Sequence, residues 1–160
     1  MDKVNQMNIT KGMKASELVN EMSKSGVFGA GRVAKASAIF SEMVKDKQCK
    51  VFFGLAGAMV PGGMKNIVVD MLESGWIDVF VTTGANLTHD IVEALGHSHL
   101  KGSANVSDAE LHKKKIDRIY ESFMPNAVYE DMEDMFKEIY DELAKEKSIK
   151  EFLWKLGEKL

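Results

Sequence analysis

Cysteine and proline are nearly absent: the chain holds one cysteine, Cys49, and two prolines, Pro61 and Pro125. A single thiol excludes an internal disulfide framework and fits a reducing compartment. With no CxxC partner, Cys49 reads as a buried or incidental small hydrophobe. No apolar run approaches the roughly 20 residues of a membrane-spanning helix. The polar opening MDKVNQMNITKGMK lacks the apolar core of a signal peptide. Nor does one sign of charge dominate, since 24 acidic residues face 21 basic ones for a formal net charge of −3. Such a balance carries no nucleic-acid or membrane footprint. These absences lead us to expect a soluble cytoplasmic protein that binds neither nucleic acid nor membrane. No GxSxG elbow, Walker loop or HExxH zinc motif occurs either.

What is present is ordinary core-forming material: 45% of the 160 residues are hydrophobic and 28% charged. The length fits one domain, residues 1–160, or a piece of something larger. Lys14–Met22 reads as a short helix, and the glycine-rich GVFGAGR after it as a flexible connection. No strand precedes those glycines and their spacing is not that of a dinucleotide fingerprint. Val33–Asp46 is the next helix, with Val33, Ala36, Ile39, Phe40, Met43 and Val44 as its apolar stripe.

Two strand–loop–helix units follow. Val51–Phe53 leads through a loop at Gly54–Gly63 into a helix ending near Ser74, with Gly75 suited to the left-handed position beyond it. Ile77–Thr82 leads through Thr83–Leu87 into a helix from about Thr88 to Leu95, where Thr88 can cap and Asp90 suits the helix dipole. Such consecutive units imply parallel strands with right-handed crossovers, and loops that expose backbone N–H groups where open α/β sheets bind nucleotides. Beyond Gly96 the stretch to Leu111 is loop-like, and Lys113–Lys115 sit on a short helix as a solvated face. Ile116–Met124 fits strand or helix. Tyr129–Ala144 is an amphipathic helix with Met132, Met135, Phe136, Ile139, Tyr140 and Leu143 on one face. Ser148 caps a last helix bearing Phe152, Leu153 and Leu156. Two or three strands are few for a parallel sheet and leave edges to be covered, so further strands are expected from a second half or a partner chain.

The first loop, GLAGAMVPGG, has small residues that let a ligand approach the backbone, and a helix start near Gly63 that favours an anion. A tight turn packed on its own helix is the competing reading. In the second, TTGANLTHD, hydroxyl, amide and imidazole groups ring a strand end, which suits a loop facing a ligand. Taken alone, Thr88 and Asp90 read as helix-capping residues and His89 as a surface residue. His97 and His99 form an HxH pair with no further ligands nearby, so no metal site is expected. The eleven methionines read as core filler.

Three segments resemble the deoxyhypusine synthase family: FFGLAGAMVPGGMKN with IDVFVTTGANLTHDIVEAL, DRIYESFMPNAVYEDMEDMF, and the terminal IKEFLWKLGEKL. The similarity runs from about residue 30 onward and corresponds to the family's N-terminal half. It implies an incomplete Rossmann-like α/β fold, a parallel sheet flanked by helices, and assembly as a homotetramer with active sites at subunit interfaces. It also implies NAD-dependent transfer of an aminobutyl group from spermidine to a lysine of translation initiation factor 5A. Carried over by this resemblance, Gly57, Ala58, Met59, Val60 and Pro61 line NAD, as do Thr83, Gly84 and Ala85. Thr88 and His89 fall where the standard enzymes carry an acidic, polyamine-facing pair. Threonine and histidine there are closer to the deoxyhypusine-synthase-like branch, whose amine need not be spermidine. The nucleophilic lysine lies in the family's second half, so no residue of this chain is assigned as catalyst.

Three readings follow. The chain is half of such a transferase, joined by a second half; or a non-catalytic NAD-binding or regulatory subunit pairing with a full-length paralogue; or an interaction module that has kept the fold and lost the ligand.

Overall fold

Two helix-forming segments separated by a glycine open the structure, a computed structural model that describes all 160 residues. Helix α1 (Ala15–Ser25) ends on Gly26 and helix α2 (Phe28–Lys45) begins two residues later. The expected flexible connection is therefore mostly helix. Gly31 sits so close to the Gly26 backbone that a Cβ would stand 2.4 Å from its carbonyl carbon. The glycines are there for close approach, and the chain turns without a loop. The predicted stripe of α2 is also rotated: Ala34 is the buried position, whereas Val33 and Ile39 are more than half exposed.

The chain divides into two compact units, Met1–Phe52 with Trp76–Val79, and Phe53–Gly75 with Phe80–Leu160. In the first, the Glu21 carboxylate of α1 pairs with Lys24 and accepts a hydrogen bond from the Asn8 N–H at 2.9 Å, which lays the N-terminal segment along the helix. The Trp76 ring meets Phe40 of α2 edge-on, with centroids 6.1 Å apart. Asp78 accepts from the Val51 N–H at 2.9 Å and from Lys50 Nζ at 2.8 Å, and both contacts hold its carboxyl below the usual carboxylate range.

Strand β1 (Phe52–Leu55) pairs with β2 (Val79–Thr82) in a two-stranded sheet. β1 starts one residue later than predicted and runs on to Leu55, whereas β2 is shorter than predicted, starting at Val79. The N–H groups of Asp78 and Val79 donate to the Val51 carbonyl, and the Thr82 hydroxyl donates to the Leu55 carbonyl at 3.1 Å. Partners therefore advance in the same direction along both strands, as parallel pairing requires. Helix α3 (Lys65–Glu73) makes the crossover, and Gly75 (φ 67°) ends it in the left-handed conformation expected of it.

In the second unit α4 (Gly84–Ala94) begins four residues earlier than the sequence suggested, because Thr83 and not Thr88 is the N-cap. The Thr83 side chain accepts from the Asn86 N–H at 3.4 Å, while Thr88 donates back to the Gly84 carbonyl from inside the helix. Beyond it lie β3 (Leu100–Lys101), α5 (Asp108–Lys113), β4 (Ile116–Ile119) and β5 (Ser122–Pro125). The three strands form an antiparallel sheet in the order β3–β5–β4, with Leu100 opposite Phe123 and Arg118 opposite Phe123 on the other side. The ambiguous Ile116–Met124 stretch is thus a hairpin, turning at Tyr120 (φ 52°). The segment read as loop contains β3. The architecture is mixed α/β with small sheets.

Helices α6 (Ala127–Leu143) and α7 (Ile149–Gly157) close the second unit. Ser148 caps α7 as expected, accepting from the Glu151 N–H at 3.2 Å. Ile91 of α4, Leu143 and Leu156 are buried together, with Met132, Met135, Phe136, Ile139 and Phe152 packed around them. Val92, Met124 and Val128 form a second buried cluster on the next face of α4. Tyr140, expected on the buried stripe, is 67% exposed; Val128 takes its place by extending the stripe toward the N-terminus. No helix is long and apolar enough to cross a membrane.

Leu143→Ala should lower stability by about 3 kcal/mol, because it empties a site that the surrounding helices cannot collapse into. Tyr140→Ala should change it by less than about 0.5 kcal/mol. Urea unfolding monitored by circular dichroism separates the two; equal effects would show that the α6 face is assigned wrongly.

Candidate functional site

The two loops beyond β1 and β2 meet directly. A Cβ on Gly57 would stand 2.8 Å from Thr83 Oγ1 and 3.0 Å from the Ala85 methyl, so only glycine allows this approach without displacement. The Val60 N–H donates to Asn86 Oδ1 at 3.4 Å, and both Val60 and Asn86 are buried. The first loop is therefore seated on the N-terminal turn of α4.

The loops do not contribute alike. In the first, the N–H groups of Met59, Gly62, Gly63 and Met64 donate to carbonyls within the loop at 2.8–3.2 Å, and that of Val60 goes to Asn86. It is a wound turn whose donors are consumed from Met59 onward, while the N–H groups of Ala56, Gly57 and Ala58 before it make no hydrogen bond within the chain. The free N–H groups of the first loop are thus confined to its start, and the helix beyond begins at Lys65 without a side-chain cap. In the second loop Thr83, Gly84 and Ala85 are exposed, and open space surrounds the position of a Cβ on Gly84. This is the uncovered N-terminus of an 11-residue helix, which can accept an anion.

Ala58, Val60 and Pro61 line a cavity of about 510 Å³, together with Gly62 and Gly63, Glu93, His99 and the β4–β5 turn. Gly57, Met59, Thr83, Gly84 and Ala85 do not line it, and neither do Thr88 and His89. Ser122 donates to the Pro61 carbonyl at 3.1 Å, tying the loop to β5.

His89 is not the isolated surface residue that its position in the sequence suggested. It is half-buried, and its Nδ1 lies 2.9 Å from His99 Nε2, while His99 Nδ1 lies 3.0 Å from Glu93 Oε1. The His99 side chain is only 8% exposed. Lys65 of α3 reaches Asp90 at 2.7 Å and Glu93 at 3.8 Å. Burial, and then the charge of His99, push the His89 imidazole below its ordinary pKa, with Glu93 opposing. A smaller cavity of about 210 Å³ is lined by His89, His99, Asp117, Ser122, Met124 and Tyr129. Burial and the Asp117 carboxylate raise the Tyr129 phenol. The other half of the HxH pair, His97, instead meets Asp131 of α6 at 2.7 Å. The His99 and Glu93 partnership escaped the sequence reading. Its only local trace is the spacing of His89 and Glu93 by one helical turn.

A family model described as deoxyhypusine synthase matches residues 17–160. The chain is 46% identical over 153 residues to a probable deoxyhypusine synthase of Methanosarcina thermophila, covering 95% of this chain and 48% of the relative. It is 41% identical over 158 residues to probable deoxyhypusine synthase 1 of Archaeoglobus fulgidus, covering 99% and 52%. Against the probable deoxyhypusine synthase of Methanothermobacter thermautotrophicus the values are 40% over 157 residues, 96% and 51%. The chain spans about half the length of the curated relatives it matches.

Gly57→Ala should cost about 1–3 kcal/mol, since Thr83 and Ala85 must give way; unchanged thermal unfolding would contradict the loop contact. A depressed His89 pKa means that the unfolded chain takes up a proton first as pH falls through about 6.5. Stability present above that pH is therefore lost on acidification through the folded value. His89→Gln should flatten the decline of Tm between pH 7 and pH 5.5, and an identical slope would refute the shift.

Proposed function

The chain belongs to the deoxyhypusine synthase family, and from that premise we propose that residues 1–160 are the NAD-binding N-terminal half of a deoxyhypusine-synthase-like transferase. The reaction is NAD-dependent transfer of an aminobutyl group from spermidine, or a related amine, to a lysine of translation initiation factor 5A. The nucleophilic lysine comes from the second half. The observation that carries this reading is the family match across residues 17–160 combined with an open, small-residue helix start at Gly84.

The residues present fit the cofactor. The α4 N-terminus, with Gly84 and Ala85 uncovered, suits a pyrophosphate. Thr83 adds a hydroxyl there, and Gly57, Ala58, Met59, Val60 and Pro61 form the wound turn packed against it. Bound NAD would supply the hydride acceptor for oxidising the amine. The chain's own contribution is to bind the cofactor and to hold the amine near Thr88 and His89. The two-stranded β1–β2 sheet supports a Rossmann-like sheet completed by strands from the second half. Assembly as a homotetramer, or pairing with a chain that carries that half, follows from the same reading, as does a place in the cytoplasm.

Gly84→Asp discriminates sharply. The position has room for a side chain, and a carboxylate in the first turn favours the helix, so unfolding should be unchanged. A cofactor phosphate would be repelled, and NAD affinity should fall at least tenfold, about 1.4 kcal/mol. Titration calorimetry on the purified chain, alone and mixed with the second half of a relative, gives the answer. Absence of NAD binding in both would overturn the reading.

A further inference from the structure

The exposed face of α2 carries a seven-residue repeat. Phe28, Lys35 and Glu42 fall seven residues apart, as do Arg32, Ile39 and the C-cap residue Asp46. Spacings that alternate between four and three place all six along one stripe of a helix. Every one of them is exposed, and the buried residue of the helix, Ala34, lies off the stripe. Phe28, the largest apolar side chain there, is 86% exposed and sits at φ 53°, a left-handed conformation uncommon for a residue with a Cβ. Toward the other end Ala38, Ile39, Glu42, Met43, Asp46 and Cys49 line a groove of about 440 Å³.

The charges on the stripe are ordered. Arg32 and Lys35 stand in its N-terminal half, Glu42 and Asp46 in its C-terminal half, and Ile39 lies between them. The two basic residues form no ion pair within the chain. Glu42 meets only Lys45, at 3.6 Å and largely exposed. Nor is this order one that the helix needs for itself, since Asp46 sits at the C-cap, where the helix dipole disfavours an acid. An apolar covering would bury four charges without partners, which is strongly unfavourable. A parallel copy of α2 would set like charge against like. An antiparallel copy sets Lys35 against Glu42 and Arg32 against Asp46, and symmetry gives each pair twice. The same register brings Phe28 to the Cys49 end of the facing groove.

We propose that a second copy of this chain covers this face by packing its own α2 antiparallel across it, with the two-fold axis at Ile39. Lys35 and Arg32 of each copy pair with Glu42 and Asp46 of the other, Ile39 meets its counterpart, and the Phe28 ring enters the groove beside Cys49. Ala36 and Ala38 flank the stripe and let the two backbones approach. The contact is isologous, so it closes at a dimer. At 18 residues α2 is about 27 Å long. A single helix pair of that length falls at the small end of specific interfaces, and its affinity is of micromolar order. The inference goes beyond the transferase reading: it names one two-fold contact and requires neither NAD nor an amine.

Single-cysteine cross-linking of the purified chain locates the contact. In a Cys49→Ser background, Ile39→Cys should give a disulfide-linked dimer under mild oxidation. Lys45→Cys should not, because this register sets it more than about 15 Å from its counterpart along the helix, beyond disulfide reach. Sedimentation equilibrium then reads the affinity. Arg32→Glu with Lys35→Glu, or Glu42→Lys with Asp46→Lys, should each weaken association at least tenfold, and Phe28→Ala severalfold. All four charge reversals in one chain should restore it, which a folding defect could not do. A monomer at a few hundred micromolar, equal cross-linking from Lys45→Cys, or association indifferent to the reversals overturns the proposal. So does loss of the Ile39→Cys cross-link when the second half of a relative is added, since that half would then be the occupant. None of these readouts involves NAD, so this inference and the cofactor reading fail separately.

Discussion

Asn86, 4% exposed, accepts a hydrogen bond at its side-chain oxygen from the Val60 N–H, while its backbone N–H is capped by Thr83. An amide buried this deeply is costly unless satisfied, and here its carbonyl oxygen is satisfied by the first loop. That loop winds on itself from Met59 onward, and the Val60 N–H is the donor it sends to the neighbouring helix. The buried amide, together with the absent side chain at Gly57, fixes the loop's place. The wall of the larger cavity depends on that placement, because Ala58, Val60 and Pro61 reach it only from a seated loop.

Helix α4 then serves three surroundings at once. Its first turn is open at Gly84, its apolar faces bury Ile91 and Val92 in two separate clusters, and a further face carries His89, Asp90 and Glu93. A helix clamped on its apolar sides cannot rotate without exposing one cluster. The imidazole and the carboxylates are therefore held by hydrophobic packing as firmly as by their own hydrogen bonds.

The elements most legible in the sequence were those whose signals are local. The α6 stripe, the Ser148 cap and the Gly75 stop each depend on residues within a turn or two, and they stand as expected apart from Tyr140. The start of α4 was misplaced because three threonines could each cap a helix, and only the extended backbone at Thr83 decides among them. The β4–β5 hairpin was ambiguous because its turn uses Tyr120 in a left-handed conformation, with no glycine to announce it. At the site, the small residues of both loops were visible, but not that the second part of the first loop, from Met59, turns its donors inward. That is a property of winding and leaves no compositional trace. The family likeness was legible from short motifs, and it holds across residues 17–160.

Histidine where the resemblance implies an acidic pair alters what recognition rewards. A carboxylate favours any nearby cation, through a field that falls slowly with distance and depends little on direction. An imidazole lone pair favours one N–H along one axis, and only while the ring stays neutral. In this chain His89 on α4 and Asp117 on β4 both stand on the wall of the same small cavity. Burial pushes the His89 imidazole toward its neutral form, and its contact with His99, itself against Glu93, holds the ring's orientation.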